Sequence, residues 1–350
     1  MTRLYINKHR FTIVFWMLII TVAVLVITNL ITGAVKIPAD AVWDIITGNK
    51  VEKDSWTVII LQSRIPMIIT AMLAGAALSV SGLLLQTTFN NPLADPSILG
   101  VSTGASLGVA IVMLVFSNLL GNLFGTTIGG YISIMIGALS GAMIILAILL
   151  IFSSFVKSAT MLLIIGIMVS YLAASAISLL NFFATQEGVH SYVIWGLGNF
   201  SGVSSDQLPV FSILIIIGLI ASILMVKPLN ALLLGSRYAE NLGINVKATR
   251  NCLLFITGVL TAVATAFCGP IGFIGLIVPH IARLLLNTSN HNTLIPVTIL
   301  TGAAISLLCT QISILPVTIG IIPINAITPI IGVPIIIYII LNRRKIQYFN

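Results

Sequence analysis

Residues 128–152 read IGGYISIMIGALSGAMIILAILLIF and hold no charged side chain. About 20 apolar helical residues cross a bilayer core, so this stretch is a membrane span. It lies inside a longer uncharged tract, residues 96–156, and a second such tract covers residues 284–342. Each tract has room for two or three crossings. Of 350 residues, 58% are hydrophobic and 7% charged, where a soluble domain carries about 25% charge; the mean hydropathy is +1.17. Such a chain cannot clothe itself in solvated groups. That excludes a soluble enzyme, a disordered regulator and a nucleic-acid-binding domain, and predicts an all-α polytopic membrane protein, a single transmembrane domain over residues 1–350.

Outward from residue 128, hydropathy places ten spans, at about 11–31, 58–85, 98–116, 128–152, 161–183, 210–226, 252–267, 271–286, 294–314 and 327–341. The basic start (Arg3, Lys8, Arg10) leads into an apolar run too long for a signal peptide, so it reads as the first retained span. An even count puts both termini on one side. With that side cytoplasmic, the inner loops and ends collect Arg3, Lys8, Arg10, Lys157, Lys227, Arg237, Lys247, Arg250, Arg283, Arg343, Arg344 and Lys345, leaving Lys36, Lys50, Lys53 and Arg64 outside. This asymmetry follows the positive-inside rule. It accounts for the net charge of +8 without nucleic acid and directs the chain to a cytoplasmic membrane, surrounded by lipid.

The loops are unequal. The first outer loop, 32–57, contains a stretch at 38–46 with the pattern of an amphipathic helix lying on the membrane surface. A second, 184–209, carries Tyr192 and Trp195 as interfacial anchors. The largest inner loop runs from about 230 to 250. Gly100, Gly104 and Gly108 share one face of the third span, as do Gly137 and Gly141 of the fourth, which predicts close helix packing. Cys252, Cys268 and Cys309 are isolated and read as small buried hydrophobes.

No catalytic or metal-binding motif occurs: there is no H-E-x-x-H, no G-x-S-x-G and no P-loop. All eight acids lie in loops or at span ends. A proton or cation relay therefore has no carriers in the spans, which counts against an ion-coupled secondary transporter. An intramembrane enzyme would need a catalytic pair in the spans. The reading is a non-enzymatic transporter without cofactor, whose energy comes from a partner. His280 and His291 lie near the inner end and read as structural or loop residues.

Two segments are polar or rich in helix breakers where apolar helix should run. One is Asn90-Asn91-Pro92-Leu93-Ala94-Asp95-Pro96, followed by Gly100 to Ala105; its two prolines fix a rigid inner turn. The other is Gly269-Pro270-Ile271-Gly272-Phe273-Ile274-Gly275-Leu276-Ile277-Val278-Pro279-His280-Ile281-Ala282-Arg283. Both resemble signature segments of the FecCD-type (BtuC-like) permease subunits of ABC importers, which take up ferric siderophores, haem and cobalamin. Arg64-Ile65-Pro66 resembles the family's R-x-P-R, with Gly75, Gly82 and Gln86 in register. Leu242-Gly243-Ile244-Asn245-Val246 resembles its L-G-[VI]-x-V, and Pro323 with Gly332-Val333-Pro334 its last span.

The resemblance implies a bacterial uptake system: a second permease subunit, the same or similar, two cytoplasmic ATPase subunits, and an external binding protein that delivers the substrate. It implies an iron(III)–siderophore complex as cargo, with haem or cobalamin as the alternative. A coupling loop at 230–247 would offer Arg237, Tyr238, Glu240, Asn241, Leu242 and Gly243 to the ATPase. The inner turn motif is Asn91, Pro92, Asp95 and Pro96, and the second motif contributes Gly272, Gly275, Pro279, His280 and Arg283. Candidates for the pathway lining are Gln86, Ser102, Thr103, Ser106, Asn181 and Asn199.

This sequence also departs from the family pattern at the outer mouth. Met67 replaces the second arginine of R-x-P-R, and Cys309 to Ile314 lack the family's Asp and Arg. Ile321 stands where a Glu is usual and Asn325 where a Gly is usual. Arg64, Lys50 and Lys53 are left as the docking charges, steering rather than holding a partner. The lost charges favour a heteromeric permease pair.

Overall fold

The computed structural model describes residues 2–33, 35–116, 127–156, 158–314 and 322–341, and among these there are helices and turns but no strand. Lys157, Ile321, Arg343, Arg344 and Lys345 lie outside the described residues. The helices are α1 (Thr2–Ile31), α2 (Ala39–Thr47), α3 (Asp54–Ile59), α4 (Ile65–Thr88), α5 (Val101–Ala110), α6 (Thr127–Phe155), α7 (Ala159–Phe183), α8 (Gln186–Gly196), α9 (Leu208–Leu224), α10 (Val226–Leu232), α11 (Ser236–Asn241), α12 (Val246–Cys268), α13 (Ile274–Leu286), α14 (His291–Ile314) and α15 (Ile324–Leu341). Among the described residues, six helical runs are long and apolar enough to cross a membrane, the bent pair α9–α10 makes a seventh, and there are three shorter apolar helices: Val101–Val115, which begins with α5, α13, and Ile324–Tyr338 of α15. These are the ten stretches that hydropathy picks out.

Proline chemistry explains the breaks. Pro66 has no N–H to return to Gln62, and the chain widens into a π-turn at Ile60–Arg64 that joins α3 to α4. Pro228 cannot bond Leu224, and α9 turns by 53° into α10 there. The eighth stretch starts late: residues 269–273 are not helical, with Gly269 at φ +74 and Phe273 at φ +70 in a tight turn closed by Ile274 N to Gly272 O (2.9 Å), so α13 begins only at Ile274.

The core is built around α4. Every residue from Ala74 to Thr87 is buried, as a helix apolar on all sides requires. Helices α9, α12, α13 and α14 surround it, while α1 and α7 expose most of their surface. Bare glycines set the approach. A Cβ on Gly75 would lie 2.4 Å from Gly302 O of α14, and one on Gly82 would lie 1.8 Å from Gly275 O of α13. Pro279 removes the helical donor to that Gly275 carbonyl, which lies against the Gly82 backbone instead. The two glycine stripes of the sequence face each other: a Cβ on Gly108 would meet Gly137 O at 1.9 Å, and one on Gly141 would meet Gly104 O at 2.1 Å.

Both loops contain short helices. The helix expected at 38–46 forms as α2, with Ala41, Val42 and Ile45 packed with Ile37 and Ile60 and with Trp43 and Ile46 exposed. In the 184–209 loop, α8 is capped by Thr185, whose hydroxyl accepts from Gly188 N (3.3 Å). Tyr192 and Trp195 stack on each other 6.3 Å apart and pack against the main core. Gly82→Val should force α4 and α13 apart and destabilise the fold by about 2–3 kcal/mol. A melt of the detergent-solubilised permease would read this as a lower Tm, with Gly82→Ala falling between; an unchanged melt would disprove the contact.

Candidate functional site

At one end of the bundle the two sequence motifs meet. Gln86, near the end of α4, is fully buried; its Nε2 donates to Leu276 O (3.2 Å) and its Oε1 accepts from Arg283 Nη1 (2.5 Å). His280 Nε2 donates to Pro92 O at 2.8 Å. Pro96 Cδ stands 2.8 Å from where a Gly275 Cβ would be, so the turn of the first motif rests on the start of α13. Asn90 ends α4 at φ +47, with Asn90 N bonded to Thr87 O and Asn91 N to Gln86 O, a helix stop with asparagine in the left-handed position. Asn91 Oδ1 then accepts from Leu93 N (3.0 Å). Gln86 is thus a tie between helices.

The knot extends sideways. His291 Nδ1 lies 2.9 Å from Asn230 Oδ1, and its Nε2 lies 2.9 Å from Thr87 Oγ1. Since Asn230 Oδ1 can only accept, Nδ1 carries the proton and Nε2 accepts from Thr87. Arg10 of α1 donates to Leu285 O (2.7 Å) and Leu284 O (3.1 Å), closing the C-terminal turn of α13. Both histidines are therefore held in structural bonds, as their position in the sequence implied.

Beside this knot, α10 packs on α4 and α14 and leads into α11. Only Ala239 of α11 is buried; Arg237, Glu240, Asn241 and Gly243 are exposed, and so are the large apolar side chains of Tyr238 and Leu242. Gly243 at φ +82 stops the helix, with Gly243 N bonded to Glu240 O and Ile244 N to Ala239 O. The six residues expected to meet an ATPase thus lie on one short, outward-facing element.

A cavity of about 430 Å³ lies between α5, α7, α8, the non-helical 270–273 segment and α15. It brings together Ser102, Thr103 and Ser106 with Ser97, Tyr192 and Asn325, and among the described residues its lining has no charged side chain. Ser102 Oγ is 3.2 Å from Thr265 Oγ1. Burial pushes the Tyr192 phenol up from its ordinary value, and Ser106 offsets part of that shift. Asn181 does not line this cavity; its Oδ1 is buried without a hydrogen-bond partner among the described residues. Tyr192 and Asn325 were missed as lining residues. An amide opening an apolar helix was the signal for Asn325.

At the opposite end of the bundle a second cavity, of about 300 Å³, is lined by Arg64, Met67, Asn199, Phe200, Thr310, Ile324 and neighbours. Asn199 caps the turn Phe200–Gly202 by accepting from Ser201 N (2.8 Å). Arg64, expected as a docking charge, is 4% exposed and donates to the carbonyls of Leu30, Ile31 (2.9 Å) and Val35. It closes the C-terminal end of α1, where cations are favoured, and offers a partner little surface. Lys50 and Lys53 remain exposed, Lys53 Nζ lying 5.2 Å from the Trp56 ring.

The described residues thus form a multi-pass helical bundle with an open, uncharged cavity and a short exposed helix. The chain belongs to the FecCD transport family, whose model matches residues 19–342. The vitamin B12 import system permease protein BtuC of Citrobacter koseri is 34% identical over 284 residues, covering 81% of this chain and 83% of that one. The same-named protein of Escherichia coli is 32% identical over 288 residues, covering 81% and 84%. A solved structure described as an inward-facing conformation of a metal-chelate type ABC transporter has a TM-score of 0.77 at 29% identity, covering 94% of this chain and 98% of that one. The chain is a membrane permease of an ABC importer, and not an enzyme.

Asp95 gives a pH test of the knot. It is buried, with Oδ1 accepting from Ser97 N (2.8 Å) and from the Ser97 hydroxyl. Burial raises its carboxyl above the ordinary 3.8, and the Ser97 bonds offset part of the rise. The folded state then holds the proton to higher pH than the unfolded state, so stability falls as pH climbs from 3.8 through the raised value. Melts of the wild type across that window should show this decline, and Asp95→Asn should flatten it. Equal slopes in the two would show that Asp95 does not ionise against burial.

Proposed function

We propose that this permease carries an iron(III)–siderophore complex inward across the cytoplasmic membrane of a bacterium. The cavity walled by Ser102, Thr103, Ser106, Tyr192 and Asn325 supports that reading. Hydroxyls, an amide and apolar groups give a bare trivalent ion nothing to replace its hydration, but they suit a bulky chelate that arrives with the metal already wrapped. In this reading both termini and the knot around Gln86 and His291 face the cytoplasm, and the Arg64 end faces outward. A second permease subunit, the same or similar, faces this one across the pathway. An external binding protein delivers the chelate near Lys50 and Lys53.

Two ATPase subunits grip the coupling loop at 230–247, with Arg237, Tyr238, Glu240, Asn241, Leu242 and Gly243 as the contacts. Movement there passes through α10 and the Asn230–His291–Thr87 chain into α4. Tyr238 and Leu242, large apolar groups left exposed, supply most of the contact energy. Replacing both with Asp should abolish co-purification of the ATPase at unchanged permease yield. Retained co-purification and uptake would place the contact elsewhere.

Cobalamin is the second reading, favoured by relatives named as vitamin B12 import permeases. Uptake by a strain lacking this chain decides between them, using a hydroxamate and a catecholate ferric siderophore, haem and cobalamin. Loss of one ferric siderophore alone is the expected result. Loss of cobalamin alone moves the assignment to the second reading. Uptake that survives ATP depletion but collapses with the proton gradient would sink both.

A further inference from the structure

Three stretches of chain converge on one side chain, Asn325. Its Nδ2 donates to Pro270 O (2.5 Å) and Gly196 O (3.1 Å), and its Oδ1 accepts from Gly272 N (3.2 Å). Its backbone N donates to Leu197 O at 3.3 Å. The carboxamide thus joins the end of α8, the non-helical lead-in to α13 and the first turn of α15. The two bridged stretches also meet backbone to backbone. A Cβ on Gly269 would lie 2.5 Å from Trp195 O, one on Gly198 would lie 3.3 Å from Pro270 O, and Asn199 N donates to Cys268 O at 2.8 Å.

This junction stands between the two cavities. Asn199, Phe200 and Ile324 line the one at the Arg64 end, while Tyr192, Pro270–Phe273 and Asn325 line the other. Consecutive residues, Ile324 and Asn325, therefore face different cavities. We propose that the Asn325 carboxamide is the clasp of a partition between them, a positioning residue that must let go before cargo passes from the outer cavity into the pathway. The direction of passage rests on the importer reading; the clasp itself does not. Only a side chain with two donors and an acceptor can meet two carbonyls and an N–H at once. The glycine usual at this position in the family has no side chain to bridge with.

Cys268 is a built-in reporter, since it sits in the junction at 2% exposure, while Cys309 is equally buried in α14 away from it. Two single-cysteine permeases, one keeping Cys268 and one keeping Cys309, would be treated in their native membrane with a charged, impermeant methanethiosulfonate. Asn325→Gly should speed Cys268 modification about tenfold or more, the effect of losing several net-stabilising hydrogen bonds, and leave Cys309 unchanged. Asn325→Asp should act alike, because its oxygens would face the Gly196 and Pro270 carbonyls. An unaltered Cys268 rate in the glycine variant overturns the clasp, and equal acceleration at both cysteines shows general loosening and overturns it too. Unmasking of Cys268 in a permease that imports none of the tested chelates would leave the clasp standing and sink the importer reading.

Discussion

The backbone of Gly82 lies directly against the carbonyl of Gly275, and the end of the bundle around Gln86 and His280 depends on that approach. With no Cβ on α4 and no proline N–H to hold the Gly275 carbonyl inside α13, the two helices close to main-chain contact. Only at that separation can Gln86 span from Leu276 O to Arg283, and His280 reach Pro92 O. Water-driven burial is unavailable between helices in lipid, so close contact and interhelical bonds carry the association. The polar residues in these helices are thus part of what holds the bundle together.

Much of the fold was legible because lipid imposes one solution on apolar sequence: uninterrupted helix. Residues 128–152 needed no context to be read as a span. The short elements were harder. Helix α8 sits in a stretch of mixed polarity around Glu187 and His190, where neither period nor hydropathy marks it, and its order comes from packing of Tyr192 and Trp195 on the core. The site was legible in part. Ser102, Thr103 and Ser106 share a cavity because they lie close together on α5. Gln86 reads the same way in sequence, but its surroundings, Leu276 and Arg283, lie about 190 residues further along the chain, and no local pattern tells a pathway amide from a structural one.

The Arg64 end illustrates how a motif residue keeps its place while serving the fold. The π-turn before Pro66 points the guanidinium back at the C-terminal end of α1, where the carbonyls of Leu30, Ile31 and Val35 accept from it. A charge that composition alone assigns to the exterior is in fact a helix cap. The polar groups that remain accessible at that end include the lysines of the α2–α3 linker and the carboxylates of Asp40, Glu52 and Asp54.

Arg10 and Asn29 give α1 an unusual place in the making of the protein. Arg10 waits for carbonyls 274 and 275 residues later, and Asn29 for Leu307 O, 278 residues later. At ribosomal speeds of about 5–20 residues per second, that separation is roughly 15–55 s of synthesis. Helix α1 is made before every other helix described; Arg64 can cap its C-terminal end early, but the bonds of Arg10 and Asn29 form only once α13 and α14 have been made. Through that interval it is a tethered guest of the membrane with an unsatisfied cation at its base, the stretch of biogenesis in which an insertase or chaperone has most to protect.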